Sequence, residues 1–331
     1  TPPAGSSINY HDNNWQNVDN AQSSSTMYGI FCGGGETCNV YNNTLNNISG
    51  GSGTFYVMYG PYYYQKFANC YNNTFSNISY GGNLYGMYFY QYYTQTSNTY
   101  NNTWSNITTS GSILYGLYIY YTGGSGISDK TYYIYNNRWT DLTTTNSNGV
   151  VCGINEYYRY YGGTVNVYNN LIGNLFAPNS GNPTADNGIR LQPYSPGDGS
   201  AMLSNYSYNT IYLTGTSTAA GFGSSSFNAD NYTSGSTVFR DNYTLNNNIF
   251  INKTVATGSG IAVGHRMQNS AYLTSFLGTS NNNIWYMGSG EYFYDGTNSD
   301  ATFAAYQARV TTRENASQTE DVDFLSTSGS A

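Results

Sequence analysis

Seven acidic residues spread through the body of this 331-residue chain are the first place to look for catalysis: Asp129, Asp141, Glu156, Asp186, Asp198, Asp230 and Asp241. Glycoside hydrolysis needs two carboxylates facing one bound sugar. A calcium-assisted lyase needs clustered acids beside a basic residue. These seven fall in different segments and form no pair. Asp186, Arg190 and Asp198 come nearest to a cluster, and solvated loop charges are the plainer reading. His11 and His265 stand alone, with no nucleophile set beside either. Glu314, Glu320, Asp321 and Asp323 read as a solvated tail. Of the four cysteines, Cys32 and Cys38 bracket a tight loop that could close as a disulfide; the alternative is four small buried hydrophobes, with Cys70 and Cys152. No CxxC pair and no nearby histidine cluster suggests a zinc site. Neither a metal nor a cofactor is expected, and the chain reads as a non-enzyme.

Composition narrows the class further. Charged residues are 8 % of the chain, against roughly 25 % in a typical soluble protein. There are three lysines but 39 tyrosines and 38 glycines, which excludes a helical bundle. An aromatic content of 17 % argues against disorder. The net charge is −7 and the basic residues are scattered, so nucleic acid is not an expected partner. No apolar run approaches the roughly 18 residues of a membrane span. Thr1-Pro2-Pro3 is neither a methionine start nor a signal peptide, and reads as a processed or excerpted chain.

A repeat dominates the sequence. Tyr41-Asn-Asn-Thr-Leu-Asn-Asn-Ile48 recurs as Tyr71–Ile78 and Tyr100–Ile107, and more loosely as Tyr135–Leu142 and Tyr168–Leu175. The apolar residue after the asparagine pair falls at Trp15, Leu45, Phe75, Trp104, Trp139, Ile172, Ile211, Phe250 and Trp285, nine copies at steps of 29 to 39 residues. A second motif, Tyr85-Gly-Met87 and its counterparts, sits midway in each repeat. A third short segment, such as Cys38-Asn-Val40, precedes each asparagine pair. Alternating aromatic and β-branched residues mark all three as strands. In Leu84–Tyr90 the alternation predicts Tyr85, Met87 and Phe89 on one face, and Tyr88 and Tyr90 on the other.

Three strands that cannot bury a face alone must stack on their neighbours. The expected fold is all-β: a right-handed parallel β-helix of about nine three-strand coils over residues 1–299. A helix from Asp300, its N-cap, to Val310 and a strand at Asp321–Leu325 would cap it within residues 300–331. Inward rows would be Leu45/Phe75/Trp104/Trp139/Ile172, Ile48/Ile78/Ile107/Leu142/Leu175 and Ile30/Met58/Met87/Leu117/Ile154/Ile189. Asn43, Asn73, Asn102, Asn137 and Asn170 would form an asparagine ladder at a corner that needs left-handed backbone.

These segments resemble the parallel β-helix repeat regions of large secreted or cell-surface proteins of Bacteroidota and related bacteria, best in Leu245–Asn252, Gly258–Val263, Ser280–Trp285, Phe293–Gly296, the helix at 302–310 and Asp321–Leu325. The resemblance implies an extracellular location and a role in surface structure, adhesion or matrix. Pectin-hydrolysing β-helices carry Gly-His-Gly and Arg-x-Lys segments; here only Gly264-His265, followed by Arg266, is similar.

On the outward face, Phe31, Tyr59, Tyr88 and Tyr118 would stack in one row, with Pro61, Tyr90 and Tyr120 in the next. Such a surface reads either as a packing or carbohydrate-binding face or as cross-strand stabilisation. Sequons for N-glycosylation occur at Asn42, Asn47, Asn72, Asn77, Asn101, Asn106, Asn205, Asn231, Asn242, Asn252 and Asn315. Six of them are simply the repeat. The expected function is a structural or adhesive protein, a subunit or segment of an extracellular filament, surface layer or matrix, which associates with itself head to tail through open coil ends or with surface glycans. The alternative is a carbohydrate-binding or polysaccharide-degrading module.

Overall fold

The computed structural model describes residues 3–20, 24–62, 65–120, 130–157, 162–193, 202–234 and 237–324. The chain winds into a right-handed parallel β-solenoid with three stacked sheets. The first sheet has eight strands, from Ser7–His11 to Asn242–Asn246. The second has nine, from Asn14–Asn20 to Ile284–Met287. The third begins at Met27–Gly33, runs to Glu291–Tyr294 and closes with the antiparallel Ser299–Asp300. Eight turns are complete. In the ninth, the 3-10 helix Ser270–Ser275 replaces the first strand, which shrinks to bridges at Phe276 and Asn281. A hairpin, Tyr232–Ser234 with Thr237–Phe239, is inserted between two coils.

The repeat sets the register. Each apolar residue after the asparagine pair aligns with its counterpart one coil on, from Trp15 with Leu45 to Phe250 with Trp285. The other two inward rows align as expected, and the Ile30 row continues through Phe227, His265 and Phe293. From Leu45 through Trp285, every member of the first row is fully buried.

The third sheet departs from simple alternation. Gly86 and Met87 are both buried, while Tyr85 and Tyr88 both face outward. Tyr85 was expected inside; a two-residue step at the glycine returns it to the surface. That step explains the glycine, because a Cβ on Gly116 would lie 2.3 Å from Trp139 Cδ1 and one on Gly86 2.8 Å from Trp104 Nε1. The glycine column makes room for the large members of the facing row.

The asparagine pair divides two tasks that were assigned to one residue. The first asparagine (Asn42, Asn72, Asn101, Asn136, Asn169) takes the left-handed backbone and is exposed. The second is buried, and its side chain makes the ladder. Asn43 donates from its backbone N–H and Nδ2 to Asn73 Oδ1 at 3.0 and 2.9 Å, and from Nδ2 to the carbonyl of Tyr10 at 2.9 Å. The same pattern passes through Asn73, Asn102, Asn137 and Asn170. It extends beyond the expected five to Asn13 at one end and Asn209, Asn248 and Asn283 at the other. A second left-handed corner at Asn17, Asn47, Asn77, Asn106, Asp141 and Asn174 had not been expected.

The two ends of the rod differ. At the far end, Glu314 accepts from Asn283 Nδ2 at 3.0 Å and from Trp285 Nε1 at 3.1 Å, so a buried carboxylate ends the ladder. The expected solvated tail is therefore partly a plug. The helix is shorter than expected, Phe303–Val310, with Thr302 as N-cap; Asp300 instead bonds Arg309 and pairs into the third sheet. Its Tyr306 and Val310 are fully buried over the last coil. No strand forms over 321–324; only Gln318 bridges to Ile284, and Leu325 lies outside the described residues. At the near end, none of the described residues covers the first coil. Trp15 is 38 % exposed, whereas Trp104, Trp139 and Trp285 are 0 %.

The division of labour within the asparagine pair predicts opposite tolerances. Asn102→Ala takes the acceptor from the Asn73 backbone N–H and from one Asn73 Nδ2 hydrogen in a buried site, while the other keeps the Val40 carbonyl, and should cost at least about 2 kcal/mol. Asn101→Gly keeps the left-handed corner and should change stability by less than about 0.5 kcal/mol. Urea denaturation midpoints separate the two.

Candidate functional site

The outward columns of the third sheet form the most distinctive surface. Phe31, Tyr59, Tyr88 and Tyr118 stack at centroid distances of 5.3, 5.0 and 5.1 Å. Beside them Tyr28, Tyr56 and Tyr85 stack at 5.3 and 5.1 Å. Edge-to-face contacts tie the two columns, as between Tyr56 and Tyr88 at 5.0 Å. Tyr90, Tyr120 and Tyr157 make a third column. Pro61 does not belong to it. The strand bulges there, Tyr62 aligns with Tyr90, and Pro61 is buried. The predicted stacking of these rings is thus present, on half-buried tyrosines and in more columns than expected.

A further aromatic row lies on the first sheet. His11, Tyr41, Tyr71, Tyr100, Tyr135 and Tyr168 stack at 4.7–4.9 Å with ring planes within 7° of parallel. These tyrosines open five of the nine copies of the repeat, with His11 in the place of a sixth, so the signal was in the motif itself. Next to them, Asn39, Asn69 and Asn98 form a second, outward amide ladder at 2.8–2.9 Å.

Stacking along the rod consumes the ring faces. Within each row a ring is covered above and below by its neighbours, so solvent meets edges and phenol oxygens. A sugar that stacks on an aromatic ring needs an open face. Among the described rows the end ring Tyr28, 42 % exposed, meets that need best. Burial, with neighbouring hydroxyls adding to it, pushes the Tyr85, Tyr88 and Tyr118 phenols upward, so these rows stay neutral.

Beyond Tyr118 the same column turns polar: Asn155, Arg190, Asn228, Arg266, then Tyr294. Arg190 bonds Asp230 through Nε at 2.9 Å and through a terminal nitrogen at 2.8 Å. Arg266 donates to Ser225 Oγ and the Ile261 carbonyl and lies over the Tyr294 ring. Both amide atoms of Asn155 are buried without a partner.

The groups read for chemistry are dispersed. Glu156 is inside the core, accepting from Tyr206 Oη at 2.7 Å. Asp141 occupies a left-handed corner and accepts from Asn174. Asp241 is buried and accepts from the Met202 N–H. Asp186 points into the core with neither oxygen partnered; burial pushes its carboxyl well above the usual range. Asp186 and Arg190 therefore do not converge, and Asp129 and Asp198 lie outside the described residues. His265 is fully buried, its ring nitrogens 2.8 Å from Tyr243 Oη and 2.9 Å from Tyr306 Oη. It pins the last coils to the closing helix. His11 is exposed, 2.7 Å from Asp12. Among the described residues no three His, Cys, Asp or Glu side chains gather as a metal site. No helix is long and apolar enough to cross a membrane.

Cys32 and Cys38 are disulfide-bonded, with Cα atoms 7.1 Å apart, and staple the third sheet of the first coil to the first sheet of the second. Cys70 and Cys152 are buried thiols. The sequons separate by exposure. Asn42, Asn47, Asn72, Asn77, Asn101, Asn106 and Asn315 are exposed; Asn205, Asn231 and Asn242 are half-buried. Asn252 is fully buried, bonded to Ser224 and the Val263 carbonyl, so a glycan there is incompatible with the fold.

Fold and surface together define a right-handed parallel β-solenoid clad in stacked tyrosines. No family model, curated protein or solved structure matches the chain.

Two buried groups give pH signatures of opposite sign. Burial and the Arg313 charge lower His265 from 6.5 to about 3, so the fold keeps it neutral while the unfolded chain protonates. Its contribution is present above pH 6.5 and is lost as pH falls towards 3. The stability gap between wild type and His265→Gln should narrow over that window in thermal melts. Asp186 is raised from 3.8, so its cost grows as pH rises above that value. Asp186→Asn should be more stable than wild type at pH 7 and equal to it below pH 3.8.

Proposed function

We propose that this chain is a non-catalytic, extracellular structural and adhesive scaffold, a segment of a cell-surface filament or matrix. One observation carries the reading. The aromatic residues are spent on ordered rows along a rigid rod, while His265, Glu156 and Asp186 are buried inside it. The Cys32–Cys38 disulfide fits an oxidising compartment. The rows offer a long, flat, neutral surface of phenol edges, suited to lateral contact with a second rod or a matrix. The plugged far end disfavours head-to-tail stacking of identical rods, so self-association is lateral.

A second reading, binding of surface glycans, is favoured by the exposed ring of Tyr28 and by the strip from Asn155 to Arg266 beyond Tyr118.

Electron microscopy of native material at physiological salt tests the scaffold directly. Laterally associated rods are expected; dispersed single rods would overturn that reading and send attention to glycan arrays. The triple variant Tyr59→Phe, Tyr88→Phe, Tyr118→Phe keeps the stacked rings and removes three hydroxyls. It should melt within about 5 °C of wild type, yet lose at least about tenfold in self-association, equal to about 1.4 kcal/mol, measured by sedimentation.

A further inference from the structure

Sulfur is scarce in this chain and gathers at one point of the core. There are six methionines and four cysteines, and Cys32 and Cys38 are joined to each other. Three of the remaining sulfur side chains meet between the second and third coils. Met58 and Met87 are neighbours in the Ile30 row of the third sheet. Cys70 stands across the interior, in the first-sheet row between Val40 and Thr99. Its Sγ lies 3.3 Å from Met58 Sδ and 3.4 Å from Met87 Sδ. All three side chains are buried. A small cavity lined by Met58, Cys70, Phe89 and Ser97 adjoins them and reaches Asn69, which is half-buried.

Hydrocarbon fills the same rows elsewhere: Val40, Ile134 and Val167 on the first sheet, Leu117, Ile154 and Ile189 on the third. What the sulfurs add is ligand chemistry. One thiol and two thioethers are a soft donor set, suited to Cu(I) and unsuited to calcium or magnesium. Charge makes a further selection. The cavity lining includes no Asp, Glu, Lys or Arg. A monovalent ion on one thiolate leaves this part of the core neutral, whereas a divalent ion would bury a net charge at high cost. Burial pushes the Cys70 thiol up, so it stays protonated until a metal replaces the proton.

We propose that Cys70, Met58 and Met87 form a buried site for one soft monovalent metal ion, Cu(I) or its analogue Ag(I). On binding, the Cys70 S–H bond breaks, an Sγ–metal bond forms and one proton leaves to solvent. Each thioether donates a lone pair, and the metal keeps its oxidation state. With metal–sulfur bonds of about 2.3 Å, a trigonal set holds its sulfurs roughly 4 Å apart, so the two separations need to widen by about 0.6 Å. Unbranched methionine side chains accommodate that readily. Asn73 Nδ2, 3.4 Å from Sγ, faces the thiolate that forms. The ion would clamp the first sheet of one coil to the third sheet of two.

Copper retention tests the site. The folded 331-residue chain is incubated with Cu(I), held reduced by ascorbate under nitrogen, then desalted and analysed for copper. A second sample receives Cu(I) during refolding from urea, so that slow entry into a buried site does not decide the result. One ion per chain is expected, with a raised melting temperature. Cys152→Ser removes the other free thiol and should retain the ion. Cys70→Ser should lose it. Met58→Leu combined with Met87→Leu keeps the core volume and the thiol. It should hold copper at least about tenfold more weakly against a Cu(I) chelator, and it decides the matter alone if Cys70→Ser does not fold. Wild type without copper in both samples would overturn the proposal. So would copper retained by folded Cys70→Ser, which would be adventitious, or held equally well by the double methionine variant, which would leave only a buried thiol.

Discussion

A chain of side-chain amides runs the length of this molecule, and the rest of its architecture follows from keeping it intact. Every coil turns a corner at the asparagine pair, and a corner strips backbone groups of their strand partners. Burying such groups unpaired costs about 1–3 kcal/mol each. The second asparagine answers this by bonding to the coils on both sides, leaving its own amide with no unused group. That works only when consecutive coils place their asparagines at strand spacing, about 4.8 Å. Insertions are consequently confined to other corners, and copies of the repeat keep the motif while their lengths vary from 29 to 39 residues.

The same spacing accounts for the tyrosines. Aromatic rings prefer centroid separations of roughly 4.5–7 Å, so a ring at a fixed position in each coil stacks on its predecessor without adjustment. The first-sheet row meets this nearly ideally, with planes within 7° of parallel. The third-sheet columns do so less regularly, because the glycine step brings two outward columns close enough for edge contacts. A surface built in this way is stiff and uncharged, and it offers few open ring faces. Those properties suit lateral contact between rods better than they suit stacking of sugars.

The ladder also polarises the rod. Its amide-to-amide bonds all run one way, while the second Nδ2 hydrogen reaches back to a carbonyl of the preceding coil, and the terminal amide donor inside the core must meet an acceptor. Glu314 fills that role at the far end, in a place where Trp285 and Asn283 both need one. His265 does comparable work between Tyr243 and Tyr306. Histidine and glutamate are common catalytic residues, yet here both are buried fastenings of a cap.

Much was legible in the sequence because a solenoid maps linear period onto vertical stacking. Spacing alone identified the three inward rows, the ladder from Asn43 to Asn170 and the column from Phe31 to Tyr118, while it left the Cys32–Cys38 disulfide as one of two alternatives. What it could not apportion was direction within a coil. Which asparagine turns and which one bonds, and whether Tyr85 faces in or out, depend on a single backbone step that leaves no trace in periodicity. The fates of Glu314, Asp186, His265 and Asn252 were equally hidden. Each lies where residues distant in sequence close around it, and burial is a property of those neighbours rather than of the residue. The sequence by itself determined the repeat, the register and the coil; only the tertiary structure decided which polar groups are surface and which are fastenings, because desolvation is set by packing from all sides.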